Sequence, residues 1–431
     1  MHFVPSIKRF LSKPYLLIYS FLIFVLPFVF SRETAELYEF PKITFFYLIC
    51  TITAALFLSD VILKPRKISS VPPAIVLFLI SAGISTLLSS HIYTSVFGYY
   101  SRFADSFVFY ITLAIFYYVA VNVFSAEDLK TLFKVAQAGS VFLFMFALGQ
   151  YFKPFEFLWG GQLQDRVFST LGQPNWYAQY IIILLGISLY EFIFRNGKIY
   201  FVLFVVQFFS LWLTFSMSGL AGFLVLLIFY FSRSFLDKEK AEERSAMAFR
   251  FAAVALVTLI IPILFPGMFR ERLNDVLIDA KKIVSKYTVV RAQTEDQANF
   301  VSDPGYIRSG LWKGTVDMIV SEPKVFLFGS GPETFPYYFQ KFRPASLNYS
   351  SEWNYVFNKP HNYYLEMWAE QGLAGVFSYI FLLFFLFRCT DRRYKGGILA
   401  FAVTNMFGWP TVASSILFWL LLVSTGRRGE L

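Results

Sequence analysis

The chain contains little charge and very little cysteine or histidine. Charged residues make up 15% of its 431 residues, and it has two cysteines and three histidines. Cys50 and Cys389 lie in or beside separate apolar runs without a pairing pattern, which argues against disulfides and against a cysteine-based metal site. The sequence has no histidine cluster and no Asp-x-Asp pair in a predicted outside connector. We therefore predict chemistry without a metal or other cofactor.

Apolar residues, in contrast, are abundant. Hydrophobic residues make up 57% of the chain and aromatic residues 21%, which is more apolar surface than a soluble fold of this length can bury. The net charge of +10 is compatible with a nucleic-acid partner, but the topology of a membrane protein explains it better, and we predict no nucleic-acid binding. Lys8, Arg9 and Lys13 precede the first apolar run without a small-residue cleavage site, which predicts an uncleaved first helix.

The fold class predicted is an all-α polytopic membrane protein. A helix needs about 20 apolar residues to cross the hydrocarbon core. Twelve runs of suitable length begin near Tyr15, Lys42, Val71, Ala104, Leu129, Asn175, Ile199, Ser218, Arg250, Tyr364, Gly396 and Pro410. Two pairs are ambiguous, because only residues 216–219 interrupt one and only residues 407–410 interrupt the other. Each pair predicts either one long tilted helix or two short ones.

The distribution of basic residues favours twelve helices with a cytoplasmic N-terminus. In that arrangement the short outside segments hold only Arg32, Lys42, Arg102, Lys153 and Arg166, whereas the inside segments are rich in lysine and arginine. Residues 1–268 then form helices one to nine, residues 269–360 form a large extracytoplasmic loop, and residues 361–431 form the last three helices. Apolar spacing predicts that this loop is mostly helical, with an amphipathic helix over residues 273–287 and a second helix over residues 307–321.

A polar island at the start of the predicted tenth helix is the main candidate for chemistry. It contains His361, which lies where a membrane helix begins and where an ionisable group is costly unless it is used. An imidazole can accept a proton near neutral pH, so His361 is a candidate general base. The alternative is a polar interfacial histidine that only anchors the helix.

Several motifs follow one another in a fixed order. They are Arg308-x-x-x-Trp312, Pro323, Gly329-x-Gly331-Pro332-x-x-Phe335, His361-Asn362-x-x-Leu365 and Glu370-x-Gly372-x-x-Gly375, with Pro27, Pro41-Lys42, Gly98, Arg102 and Arg166-x-x-Ser169-Thr170-Leu171-Gly172-x-Pro174-Asn175 earlier in the chain. This pattern resembles the O-antigen ligase and polymerase superfamily over most of the chain. Members of that family transfer a glycan from a polyprenyl diphosphate to an acceptor hydroxyl on the outer face of the cytoplasmic membrane.

The resemblance implies roles for individual residues. His361 would deprotonate the acceptor hydroxyl, and Arg308 would bind the diphosphate, because a guanidinium can hold two phosphate oxygens at once. Arg166 and Arg102 stand where the family often has an arginine, and they are further candidates for the diphosphate. The alternative for each is a lipid headgroup contact or a structural ion pair, such as Arg102 with Asp105.

The chain departs from the family at one position. Many members have Thr-x-Ser-Arg between the seventh and eighth helices, where the arginine is thought to contact the diphosphate, but this chain has Met217 in place of the arginine. Either another arginine such as Arg166 replaces it, or the Ser216 and Ser218 hydroxyls and nearby backbone N–H groups make the contact.

Four residues near His361 are predicted to support it. Asn362 and Trp312 belong to the motifs, and Glu366 and Glu370 lie one turn apart on one helix face. Glu366 could orient His361, whereas Glu370 more plausibly caps or braces the start of the helix. The Gly372 and Gly375 pair predicts close helix packing.

By resemblance we expect an O-antigen ligase of the inner membrane. It would move a glycan from undecaprenyl diphosphate to a lipid A-core hydroxyl on the periplasmic side, with inversion at the anomeric carbon, and it would contact membrane lipids. A polymerase or a protein O-oligosaccharyltransferase of the same superfamily is an alternative that the motifs do not separate. A transporter of lipid-linked sugars is the alternative of another class, although the sequence has no clear repeat between its halves.

Overall fold

A computed structural model describes residues 13–65, 67–100, 102–153, 166–236, 241–267 and 304–426. These residues form sixteen α-helices and no β-strand. The helices are α1 (Pro14–Val25), α2 (Glu39–Leu63), α3 (Pro73–Leu87), α4 (Ile92–Phe97), α5 (Phe107–Val123), α6 (Ala126–Phe152), α7 (Pro174–Arg195), α8 (Lys198–Leu213), α9 (Met217–Leu236), α10 (Ala241–Leu264), α11 (Pro304–Val320), α12 (Pro323–Phe328), α13 (Phe335–Tyr338), α14 (Tyr363–Cys389), α15 (Arg392–Thr404) and α16 (Val412–Thr425).

Twelve of the sixteen helices correspond to the twelve predicted apolar runs. Six of them, α2, α6, α7, α9, α10 and α14, are long and apolar enough to cross a membrane. Helices α1, α3, α5, α8 and α16 are shorter and apolar, and α15 completes the set. The protein is an all-α, multi-pass membrane protein, as predicted. The amphipathic helix predicted over residues 273–287 lies outside the described residues.

Both ambiguous pairs are separate helices. Helix α8 ends at Leu213, and Phe215 takes a φ of +45°, which a continuous helix does not allow. The Thr214 hydroxyl accepts the Ser216 N–H at 3.2 Å, so the turn between α8 and α9 has its own hydrogen bonding. Helix α16 begins after Pro410 with a capping box in which Thr411 and Ser414 bond to each other's backbone N–H groups.

Helix α7 is the central helix of the bundle, since most of its membrane-length window is buried inside the protein. It lies against α15 at two glycines: a Cβ on Gly186 would lie 2.7 Å from the Cα of Gly397. Small residues let two helix backbones approach this closely. Because α7 and α15 each reach towards both ends of the bundle, they fix the relative positions of side chains near the two ends.

The segment 304–360 has a small apolar core of its own. Helices α11 to α13 and the turns after them bury ten residues together: Ile307, Leu311, Met318, Ile319, Val325, Phe335, Phe339, Leu347, Phe357 and, from α14, Ala369. The predicted helix over residues 307–321 is present as α11. Helix α14 is kinked at Gly372, whose φ is +71°, and a Cβ there would lie 2.3 Å from the backbone of Leu327 in α12. The segment is therefore docked on the kink of α14.

Candidate active site

His361 lies in the turn that leads from this segment into α14. Its φ is +56°, a left-handed conformation that a non-glycine residue keeps only when its neighbours are fixed. Trp312 Nε1 donates to the carbonyl of Pro360 at 3.0 Å, and Tyr363 N donates to the carbonyl of Asn405 at 2.8 Å. Asn362 Oδ1 accepts the N–H groups of Tyr364 at 3.0 Å and Leu365 at 3.2 Å. The motif residues Trp312 and Asn362 thus hold the backbone on both sides of His361.

A buried ion cluster fixes the chain two residues before His361. The Lys359 ammonium lies 3.1 Å from Asp105 and also pairs with Glu333 and Glu366, and these four side chains are almost completely buried. Burial by itself would lower the pKa of Lys359, but the carboxylates of Asp105, Glu333 and Glu366 outweigh it and hold that pKa well above its ordinary value. Lys359 is therefore a permanent cation that joins three separate segments.

The two predicted carboxylates near His361 have different partners. Glu366 pairs with Lys359. It therefore stabilises the turn that carries His361 and does not have the predicted role of orienting the imidazole. Glu370 accepts the backbone N–H groups of Glu333 at 2.9 Å and Phe335 at 3.0 Å, so it braces the loop that follows Gly331. The glycines of that loop form a turn, as predicted, since Gly329 and Gly331 both have positive φ values.

The imidazole of His361 lies between aromatic and cationic side chains. Its ring packs on Trp409 at a centroid distance of 5.1 Å and an angle of 62°, and Trp409 also packs edge-on against Trp176 at 5.9 Å. The Arg102 guanidinium lies over the Trp409 ring at 5.3 Å. Within the described part of the chain, neither ring nitrogen of His361 has a hydrogen-bond partner. Both nitrogens are therefore free to contact a substrate.

Two of the predicted arginines change the pKa of His361 electrostatically. Its burial, together with the positive charges of Arg308 and Arg102, lowers the pKa of His361 to about 3. The Arg102 side chain is only 8% exposed and forms no hydrogen bond or ion pair with any residue that the structure describes. The alternative pair of Arg102 with Asp105 is not formed, because Asp105 pairs with Lys359. A buried, unpaired guanidinium beside a histidine is suited to binding an anion.

A narrow pocket connects His361 with the break between α8 and α9. Its lining includes Asn175, Trp176, Gln179, Ser218, His361 and Trp409. Ser216 donates to Asn175 Oδ1 at 2.8 Å and lies 3.0 Å from the Ser218 hydroxyl. Ser218 and the predicted base therefore line one pocket, and Ser216 contacts two of its lining residues.

Arg166 lies on the serine side of this pocket. Its Nε donates to the Thr214 carbonyl at 2.9 Å, and its Nη2 donates to Asn175 Oδ1 at 3.0 Å. The guanidinium therefore holds the broken helix end against the start of α7, beside the position where Met217 replaces the family arginine. Arg166 is close to the serines, whereas Arg102 and Arg308 are close to His361.

The comparisons with known proteins agree with this arrangement. The family model described as O-Antigen ligase matches residues 202–380, which include Ser216, Ser218, Arg308, Lys359 and His361. This match supports the O-antigen ligase superfamily. No curated protein and no solved structure matches the chain. The family match supports a ligase-type or polymerase-type enzyme that resembles glycosyltransferases and uses lipid-linked glycans.

Several neighbours of the candidate site were not found from the sequence. Trp409 and Gln179 line the pocket, and Lys359 with Glu333 holds the turn before His361. Trp409 belongs to residues 407–410, which we noted only as a helix interruption. A tryptophan beside a proline at a predicted membrane boundary was a weak signal, and Lys359 gave none.

Proposed function

We propose that this protein is an O-antigen ligase that transfers a glycan from undecaprenyl diphosphate to a hydroxyl of a lipid A-core acceptor at the periplasmic face of the inner membrane. The observation that carries the proposal is the convergence of one free imidazole and one unpaired buried guanidinium on the same tryptophan. Glycosyl transfer from a diphosphate needs these two groups, a proton acceptor and an anion holder.

The proposed reaction is a single displacement. His361 takes the proton of the acceptor hydroxyl, the acceptor oxygen forms a bond to the anomeric carbon, and the bond from that carbon to the diphosphate oxygen breaks. The electron pair leaves with undecaprenyl diphosphate. Because the acceptor oxygen attacks from the side opposite to this leaving group, the configuration at the anomeric carbon is inverted. A product with retained configuration would contradict this mechanism.

The leaving diphosphate would be held by Arg102 and Arg308 near His361. The hydroxyls of Ser216 and Ser218 and the N-terminal end of α9 would face it from the other side of the pocket, with Arg166 fixing that side. The pocket is narrow around Trp409, so we infer that the Trp409 side chain moves when the donor binds. This arrangement would replace the arginine that the family has at the position of Met217.

The proposed mechanism is independent of a metal ion. Within the described residues, the one group of three acidic side chains close enough to hold a metal is Asp105, Glu333 and Glu366. The ammonium of Lys359 already lies among these three carboxylates. A divalent cation would have to displace a buried lysine there, which argues for charge stabilisation by arginine instead.

The test is glycan transfer by purified protein in liposomes with a polyprenyl-diphosphate oligosaccharide and lipid A-core. We expect His361→Ala to lower the transfer rate by about 10²–10⁴-fold, the usual contribution of a general base. The matched control is His91→Ala, since His91 is exposed and stacks on Tyr337 away from the pocket. The control should transfer at the wild-type rate.

The mass of the product distinguishes the alternatives. An enlarged lipid A-core supports the ligase, an enlarged carrier-linked glycan shows a polymerase, and a glycosylated protein acceptor shows an O-oligosaccharyltransferase. Movement of the donor across the bilayer without any new glycosidic bond, unaffected by His361→Ala, would show a transporter and overturn the enzyme proposal.

A further inference from the structure

A second cavity lies at the opposite end of the bundle from His361. It measures about 810 Å³, a volume typical of ligand sites. The same helices reach both sites: α7 places Gln179 at the pocket of His361 and Glu191 at the cavity, and α15 does the same with Thr404 and Tyr394. At about 1.5 Å per residue these pairs lie roughly 15–18 Å apart along their helices. The cavity is therefore separate from the candidate active site.

The cavity has an excess of positive charge. Its two acidic residues are already paired, Glu127 with Lys130 at 2.7 Å and Glu191 with Arg393 at 3.4 Å. Lys134, Arg195 and Lys198 also line it, and none of these three has a hydrogen bond or ion pair to a residue that the structure describes. Three cations around one cavity, without an ion-pair partner among the described residues, favour the binding of an anion from outside the protein.

The start of α8 adds to this preference for an anion. Gly197 and Lys198 line the cavity, and no side chain caps the N-terminus of α8. The free N–H groups at a helix N-terminus favour a negative charge and disfavour a cation such as Lys198. An anion in the cavity would satisfy both the N–H groups and Lys198.

The position of Lys134 shows that this is more than the usual basic rim of a membrane protein. Lys134 is half-buried and lies roughly 12 Å inside α6, counting about 1.5 Å per residue from Ala126. An ionisable residue at that depth in a membrane helix normally has a partner or a function. By contrast, Lys64 and Lys67, which follow α2, are exposed, as ordinary rim lysines are.

The lining also includes apolar side chains. Phe133 and Ile187 face the cavity, and Ile199 on its rim is 46% exposed. A soluble ion would leave this apolar surface in contact with water, whereas the acyl chains of a lipid would cover it. We propose that this cavity binds the phosphate headgroup of an anionic phospholipid, in the leaflet opposite to His361.

The experiment uses the full-length protein in nanodiscs of phosphatidylcholine with and without phosphatidylglycerol, with bound lipid counted by native mass spectrometry. The test variant is Lys134→Gln with Lys198→Gln, and the matched control is Lys64→Gln with Lys67→Gln. At about 1 kcal/mol for each lysine near an anionic surface, phosphatidylglycerol binding should weaken roughly 20- to 30-fold in the test variant. The control should bind as the wild type does.

A charge-conserving variant and a competition with inorganic phosphate make the outcome decisive. Lys134→Arg with Lys198→Arg keeps the charge and should restore binding, which separates charge from a folding defect. Equal loss in the test and control variants would mean that general surface charge binds the lipid and would overturn the proposal. Displacement of phosphatidylglycerol by inorganic phosphate at constant ionic strength would reassign the cavity to a soluble phosphate and would also overturn it.

Discussion

At the scale of single residues, the notable feature is a candidate base whose pKa is very low. Burial and the charges of Arg308 and Arg102 lower the pKa of His361 to about 3 in the protein without substrate. A base with this pKa is neutral near pH 7, and therefore able to accept a proton, but it is a weak proton acceptor. A bound diphosphate would neutralise the two arginines and raise the pKa of His361. We infer that the donor itself makes His361 basic.

This gives a prediction for the pH dependence of the reaction. Removal of one positive charge by Arg102→Gln should raise the pKa of His361 from about 3 towards the ordinary histidine value of about 6.5. A higher pKa means that His361 becomes protonated at a higher pH, so the acid limb of the kcat/KM profile should move upward in pH. Arg308→Gln should shift it in the same direction. The profile is measured with the transfer assay over acidic to neutral pH.

The matched control for the pH profile is Lys341→Gln. Lys341 is an exposed cation of the segment 304–360, and it lies over Tyr338, away from the pocket. The acid limb of the Lys341→Gln profile should coincide with that of the wild type. If the Arg102→Gln profile also coincided with the wild type, the two arginines would not control the proton affinity of His361.

At the scale of secondary-structure elements, the Lys359 cluster joins three parts of the fold. Asp105 precedes α5, Glu333 lies in the loop before α13, and Glu366 lies in the first turn of α14. Trp312 of α11 adds its bond to Pro360. The turn that carries His361 thus depends on elements that are far apart in the sequence.

We predict that Lys359→Met destabilises the protein by about 3–5 kcal/mol, because it leaves buried carboxylates without their cation. Thermal unfolding in detergent measures the change, and transfer activity should fall with it. Adding Glu333→Gln and Glu366→Gln should recover part of the stability, since these changes remove the uncompensated charges. Lys341→Met is the exposed control and should change stability little. Equal unfolding temperatures for Lys359→Met and this control would show that the cluster does not hold the turn.

At the scale of the whole molecule, the helices could be predicted and the site only in part. Bilayer thickness sets the length of an apolar run, so each of the twelve runs in the sequence contains a helix. His361, Arg308 and Arg102 could be named because local motifs carry them. Their common neighbour Trp409, and the partner of Glu366, depend on packing between distant elements. Such contacts leave no periodic signal in one sequence.

The predicted orientation in the membrane also belongs to this scale. The distribution of basic residues predicts that the end of α2 lies in the cytoplasm and the segment 304–360 outside. We predict that a membrane-impermeant maleimide labels Tyr349→Cys in intact spheroplasts, whereas it labels Lys64→Cys only after the membrane is opened. Both positions are well exposed, and the background should carry Cys50→Ser and Cys389→Ser to remove the native thiols. The opposite labelling pattern would place His361 on the cytoplasmic side and exclude transfer at the outer face. Labelling of both positions in intact spheroplasts would place them on one side of the membrane and would contradict the predicted orientation.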